Sequence, residues 1–203
     1  MKKILIIFLI CSIVFLIYFL TRDTKIYYVS IGDYVSINNH KSYYGNKLEK
    51  DVRYYNKDYR TIDLVDDLES NKEVKYRGKN YKLTNLLIKA DIITISIGMN
   101  DLLFFDEVND NMYAYIDDIL MDVEKVLNLV RYYSKEKIYI YNYFGFDKKF
   151  LYYINNRLSD IAFEYNVNII DISSIKNRKK LNNNDYKYIE NKLINTLKKQ
   201  FDF

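Results

Sequence analysis

The sequence has no proline and no tryptophan, and among its 203 residues only one cysteine, one histidine and five glycines. A lone cysteine, Cys11, excludes an intrachain disulfide and a thiolate metal cluster. A lone histidine, His40, excludes a histidine-rich metal site and leaves a single position for an ordinary imidazole base. No metal and no other cofactor is expected. Tyrosine, lysine, asparagine and isoleucine are abundant instead, with Tyr at 23 positions. We read this skew as coding bias towards AT-rich codons, so an aromatic stripe carries less weight here than in an average chain. A dominant charge is lacking too. The formal net charge is +4, and setting aside Lys2 and Lys3 leaves +2. That balance is too even for a nucleic-acid footprint, and no nucleic-acid partner is expected.

Length and composition suit one domain plus one appendage. Residues 4–20 form an uncharged, almost wholly apolar run behind Lys2 and Lys3, closed by the polar stretch 21–25. A spanning helix needs roughly 17–25 such residues, so the run is at the lower limit. A cleaved signal would have a shorter apolar core and a small-residue cleavage site, and neither is present. Ile10 before Cys11 is too large for lipidation at that cysteine. The expectation is an uncleaved signal anchor over residues 1–24, with Lys2 and Lys3 in the cytoplasm and the domain of residues 25–203 outside it. The membrane is thus an expected partner, and the cell membrane the expected location.

In the domain, near-continuous apolar stretches predict strands over 25–31, 52–56, 91–97, 137–143 and 166–172. Between them lie helical patterns. A short helical segment is expected near Leu48, and Thr61 is placed as the cap of a helix over 62–68. Leu83, Leu86, Leu87 and Ala90 mark one helix face; Met112, Ile116, Ile119, Val123, Val126 and Val130 mark another. Phe150, Ile154, Leu158 and Ile161 mark a third, and Tyr186, Ile189, Leu193 and Leu197 a last one. Residues 72–80 read as a loop. Strands alternating with helices imply a five-stranded parallel sheet covered on both faces, an α/β fold of three α/β/α layers. The first strand is expected to be central, with the turns at Gly32 and Gly98 at one sheet edge.

Those two turns carry the functional signal. Ile31-Gly32-Asp33-Tyr34 and Ile97-Gly98-Met99-Asn100-Asp101 end the first and third strands, and Tyr186-Lys187-Tyr188-Ile189 opens the last helix. Together they resemble the SGNH/GDSL hydrolase family, over the stretch from Lys25 to the C-terminus. The resemblance implies a flavodoxin-like three-layer fold that hydrolyses esters and acyl groups. It also implies a serine nucleophile directly after Gly-Asp, and an oxyanion hole completed by a glycine after the second strand and the asparagine of Gly-x-Asn-Asp. A late Asp-x-x-His would supply the base and its orienter.

The chain departs from that pattern at most of its chemical positions. Tyr34 stands at the nucleophile position, and Asp58 where the oxyanion glycine belongs. Asn100 is retained. Counting back from Tyr186, Asn177 and Lys180 stand in place of the aspartate and the histidine. A hydroxyl without a base in reach is a poor nucleophile, and a carboxylate facing a developing oxyanion would oppose it. Catalytic residues are therefore not assigned, and Asp33, Tyr34, Asp58, Asn100 and Asp101 are the candidate binding residues. Each has a plainer reading: Asp33 as the cap of the next helix, Asn100 as another cap, Tyr34 as a plug, and Asp101 with Asp106 and Glu107 as a solvated acidic face. Ser36 and His40, four residues apart, read as a solvated pair on an asparagine-rich loop rather than a dyad.

The expected function is a membrane-anchored, extracytoplasmic protein of this family that has lost acyl hydrolysis and binds a ligand or partner at the former site. By the resemblance, that ligand is an envelope glycan or lipid. Two alternatives stand beside it: a working esterase or deacetylase with a non-standard catalytic set, and a structural envelope protein whose cleft Tyr34 closes.

Overall fold

A computed structural model of the chain describes residues 11–13, 26–33, 35, 48–56, 58–103, 110–176 and 180–198. Most of the expected anchor, together with Tyr34, Ser36, His40, Asp106, Glu107 and Asn177, lies outside the described residues. Residues 11–13 are helical, and among the described residues no helix is long and apolar enough to cross a membrane.

Five strands form one parallel sheet: β1 (Ile26–Gly32), β2 (Leu48–Tyr55), β5 (Ile92–Ser96), β6 (Lys137–Tyr141) and β7 (Asn168–Ile170), in the order β2-β1-β5-β6-β7. β1 is interior, hydrogen-bonded to β2 on one side and β5 on the other. The middle place belongs to β5, which corrects the expectation of a central first strand. Every residue of β1 and β5 is buried. A sheet covered on both faces demands this, and it explains their unbroken apolar sequences. Three polar side chains within them satisfy one another: the Tyr28 hydroxyl meets Thr94 Oγ1 at 2.6 Å, and Thr94 donates on to Ser30 Oγ.

The helices are α1 (Thr61–Glu69), α2 (Leu83–Lys89), α3 (Met99–Leu103), α4 (Asp110–Tyr133), α5 (Lys148–Glu164) and α6 (Asn183–Lys198). α4 packs against α1, α2 and α5, while α6 packs on β7. The α4 stripe of Met112, Ile116, Ile119, Val123, Val126 and Val130 is buried, as its spacing requires.

Two local expectations are overturned. The stretch around Leu48 is the start of β2, not a helix. β2 is an edge strand, and edge strands carry charged residues that break the apolar run by which a strand is recognised. Residues 72–80 are not a plain loop: β3 (Glu73–Tyr76) and β4 (Lys79–Lys82) pair antiparallel. Arg77 and Gly78 between them have φ of 48° and 76°. Positive φ at both central residues of a two-residue loop is the geometry that matches strand twist in a hairpin.

Candidate functional site

The sheet's carboxyl edge brings the two glycine turns side by side, because Gly32 and Ser96 are paired in register. The contact leaves no space for a side chain. A Cβ on Gly32, where φ is +128°, would lie 1.8 Å from the Ser96 carbonyl oxygen. That closeness lets Asp33 N–H donate to Ser96 O at 2.8 Å. Asp33 is fully buried. Its Oδ1 accepts the Val35 N–H at 3.1 Å, a bond that shapes the turn. Its Oδ2 has no hydrogen-bond partner among the described residues. Burial pushes the Asp33 pKa up to about 6, against the opposing Val35 N–H and Ser96 hydroxyl, and the nearby Asp101 charge pushes the same way.

Gly98, with φ of +93°, makes room for a side chain from the connection that follows β6. A Cβ there would lie 2.5 Å from the hydroxyl of Tyr143. Tyr143 is buried, and its hydroxyl also lacks a partner among the described residues. Burial holds that phenol protonated far above the ordinary range, with the charges of Asp101 and Asp33 adding to the effect.

The Asn-Asp pair that follows Gly98 is turned towards the β2–α1 connection. Asn100 Nδ2 donates to the Tyr59 carbonyl at 2.7 Å. Asp101 Oδ2 accepts from both the Thr61 N–H, at 2.9 Å, and the Thr61 hydroxyl, at 2.8 Å. Burial raises the Asp101 pKa, and the Thr61 bonds oppose it. Thr61 is thus the first residue of α1 rather than its cap. Arg60 takes the cap position, its N–H donating to Asp63 at 3.0 Å.

Tyr59 is itself pinned. Its hydroxyl and that of Tyr54 both donate to Asp67, which also pairs with Lys72 at 2.7 Å. The connection is tied to the sheet as well, by Asn56 N–H donating to Gly32 O at 3.1 Å. The carbonyl that receives Asn100 is therefore held at both ends of its loop.

Of the candidate binding residues, Asp33, Asn100 and Asp101 gather at this corner. Asp58 sits on an exposed turn, its N–H on Asn56 Oδ1. Lys180 is exposed just before α6. Burial raises the pKa of the Tyr186 phenol, and the charges of Asp185 and Asp33 add to the effect. Sequence reasoning missed Thr61, Tyr59 and Tyr143. Tyr143 alternates with Tyr139 and Tyr141, a pattern that reads as strand packing, and no spacing rule links a phenol to a glycine 45 positions earlier. Among the described residues, no cluster of histidine, cysteine, aspartate or glutamate could hold a metal ion.

These features define a doubly wound α/β domain with two glycine turns converging at the carboxyl edge, where such sheets place their ligands. Its fold is that of the SGNH/GDSL hydrolases. The lipase Lip_vut3 from a goat rumen metagenome matches with a TM-score of 0.58 and 15% identity, over 83% of this chain and 95% of its own. A lipolytic protein of the G-D-S-L family from Desulfitobacterium hafniense DCB-2 matches with a TM-score of 0.54 and 13% identity, over 84% and 97%. A Streptococcus pneumonia protein described as a platelet activating factor matches with a TM-score of 0.59 and 14% identity, over 87% and 86%. No family model and no curated protein matches the sequence.

Proposed function

We propose that this chain is a degenerate SGNH/GDSL-family protein that does not hydrolyse esters and binds a ligand at the carboxyl edge of its sheet. The observation that carries the reading is the Asn100–Tyr59 hydrogen bond. One N–H of the amide that the family resemblance assigns to the oxyanion hole is taken by a backbone carbonyl fixed by its own loop. Oxyanion stabilisation requires donors directed at the position where charge develops. The sequence supports the same conclusion: Tyr34 replaces the nucleophile, Lys180 replaces the base, and no histidine follows His40.

Residues 4–20 tether the domain to a membrane in this reading, with residues 25–203 on the non-cytoplasmic side. The support is the uncharged run behind Lys2 and Lys3. Protease added to intact spheroplasts should digest the domain; full protection contradicts that orientation.

The loss of hydrolysis is tested by restoring the family's residues. Full-length protein carrying Tyr34→Ser, Asp58→Gly, Asn177→Asp and Lys180→His should cleave short acyl esters that the parent leaves intact. Turnover of those esters by the parent itself contradicts the reading.

A further inference from the structure

A second concavity opens at the same edge of the sheet, beside the corner and built from different residues. It is a groove of about 420 Å³ where the β6–α5 and β7–α6 connections meet. That volume lies within the roughly 300–1,000 Å³ of small-molecule sites.

Its framework is fixed. Asn142, buried at the end of β6, donates to Asp171 Oδ1 at 2.9 Å and accepts the Ile172 N–H at 2.7 Å. The Ser173 N–H and hydroxyl bind the same oxygen at 3.0 and 2.7 Å. Burial alone would raise the Asp171 pKa, but the bonds from Ser173 and Asn142 bring it below the ordinary carboxylate value. The carboxylate is thus held ionised, with Oδ1 carrying those bonds and Oδ2 carrying none of them. On the opposite side, Asn155 clamps the Tyr143 backbone with bonds of 2.9 and 3.0 Å, which locks α5 to the exit of β6. Two further side chains of α5 that line the groove are not engaged: those of Asn156 and Lys148 make no hydrogen bond or ion pair with other described residues. Tyr152 lines the groove with 72% of its surface exposed.

We propose that this groove binds a neutral carbohydrate, a short run of pyranose rings. The chemistry selects that class. Among the lining residues one carboxylate balances one ammonium, and Lys192, which does not line the groove, adds its charge beside Asp171. Asp171 Oδ2 accepts from hydroxyls, Lys148 donates to them, and the Asn156 amide does both. An exposed phenol ring offers a flat apolar face to the C–H face of a sugar ring, with a polar rim for its hydroxyls. A lipid tail is disfavoured, because among the described residues Leu151 and Tyr152 are the only large apolar side chains lining the groove. The proposal specifies the ligand half of the function proposed above and is independent of the loss of hydrolysis, so a binding assay and a turnover assay fail separately.

The test is isothermal titration of the full-length chain in detergent with chitotriose, maltotriose and mannotriose, and with glycylglycine as a zwitterionic control. At least one trisaccharide should bind, and Tyr152→Ala and Asp171→Asn should each weaken it about tenfold or more. Tyr152 is largely solvent-exposed, so its truncation leaves the fold intact, and circular dichroism checks this. Three results overturn the proposal: no trisaccharide binding up to about 10 mM, binding unaffected by Tyr152→Ala, or binding of glycylglycine that Lys148→Gln abolishes.

Discussion

A single oxygen of Asp101 accepts both the backbone N–H and the hydroxyl of Thr61. The contact spans 40 residues of sequence and joins the second glycine turn to the first residue of α1. A carboxylate there satisfies an amide that the helix itself leaves unpaired, and its charge complements the positive end of the helix. Asp101→Ala should therefore cost about 1–3 kcal/mol, and Asp101→Asn less, because the amide oxygen keeps one acceptor. Urea denaturation followed by circular dichroism measures both. An unchanged midpoint for Asp101→Ala would show that the contact contributes nothing.

Gly32 and Gly78 both have positive φ, but only Gly32 is enclosed. A Cβ at Gly32 would sit 1.8 Å from the Ser96 carbonyl, while one at Gly78 meets nothing within 4 Å. Gly78→Ala should cost about 1 kcal/mol, the conformational penalty alone. Gly32→Ala adds a backbone clash that can be relieved only by separating β1 from β5, and should cost more than about 3 kcal/mol. Comparable stabilities for the two variants would contradict the close approach of the strands.

Asp33 gives stability a pH dependence of unusual sign for a carboxylate. Its folded-state pKa is about 6 against an ordinary 3.8. The folded chain thus holds this proton more tightly than the unfolded chain does. The contribution is fully present below about pH 3.8 and is lost as pH rises through about 6, amounting to on the order of 3 kcal/mol. Asp67 and Asp171, with lowered pKa values, act oppositely, losing stability as pH falls below the ordinary carboxylate value. The comparison that isolates Asp33 is with Asp33→Asn, which keeps an acceptor for Val35 N–H and cannot ionise. The variant should gain on the parent in denaturation experiments between about pH 4 and about pH 7. A constant difference across that range would show that Asp33 does not titrate there.

The fold was legible wherever strands are buried on both faces. β1, β5 and β6 announce themselves as apolar runs, and Gly32 and Gly98 mark two of their exits. The charged start of β2 and the whole β3–β4 hairpin were not legible as strands. An edge strand and a solvated hairpin keep polar residues, and only the positive-φ pair Arg77-Gly78 distinguishes the latter from a loop. At the site, Asp33, Asn100 and Asp101 could be found from motif spacing because the turns themselves impose it. Tyr59, Thr61 and Tyr143 could not. Their places depend on which strands become neighbours, and the parallel order β2-β1-β5-β6-β7 is a tertiary property that no local window contains.

The central claim is that the corner lacks the machinery for acyl transfer. Losing the nucleophile or the base of a Ser-His system removes orders of magnitude in rate, and the resemblance puts Tyr34 and Lys180 at those two positions. Tyr34 offers no substitute, since a phenol with an ordinary pKa of about 10 stays protonated without a base. The most direct measurement is turnover of p-nitrophenyl acetate by the full-length chain in detergent at neutral pH, beside Tyr34→Ala. The account predicts that both match the protein-free rate. Turnover above that rate by the parent, abolished by Tyr34→Ala in a variant that remains folded, would contradict it.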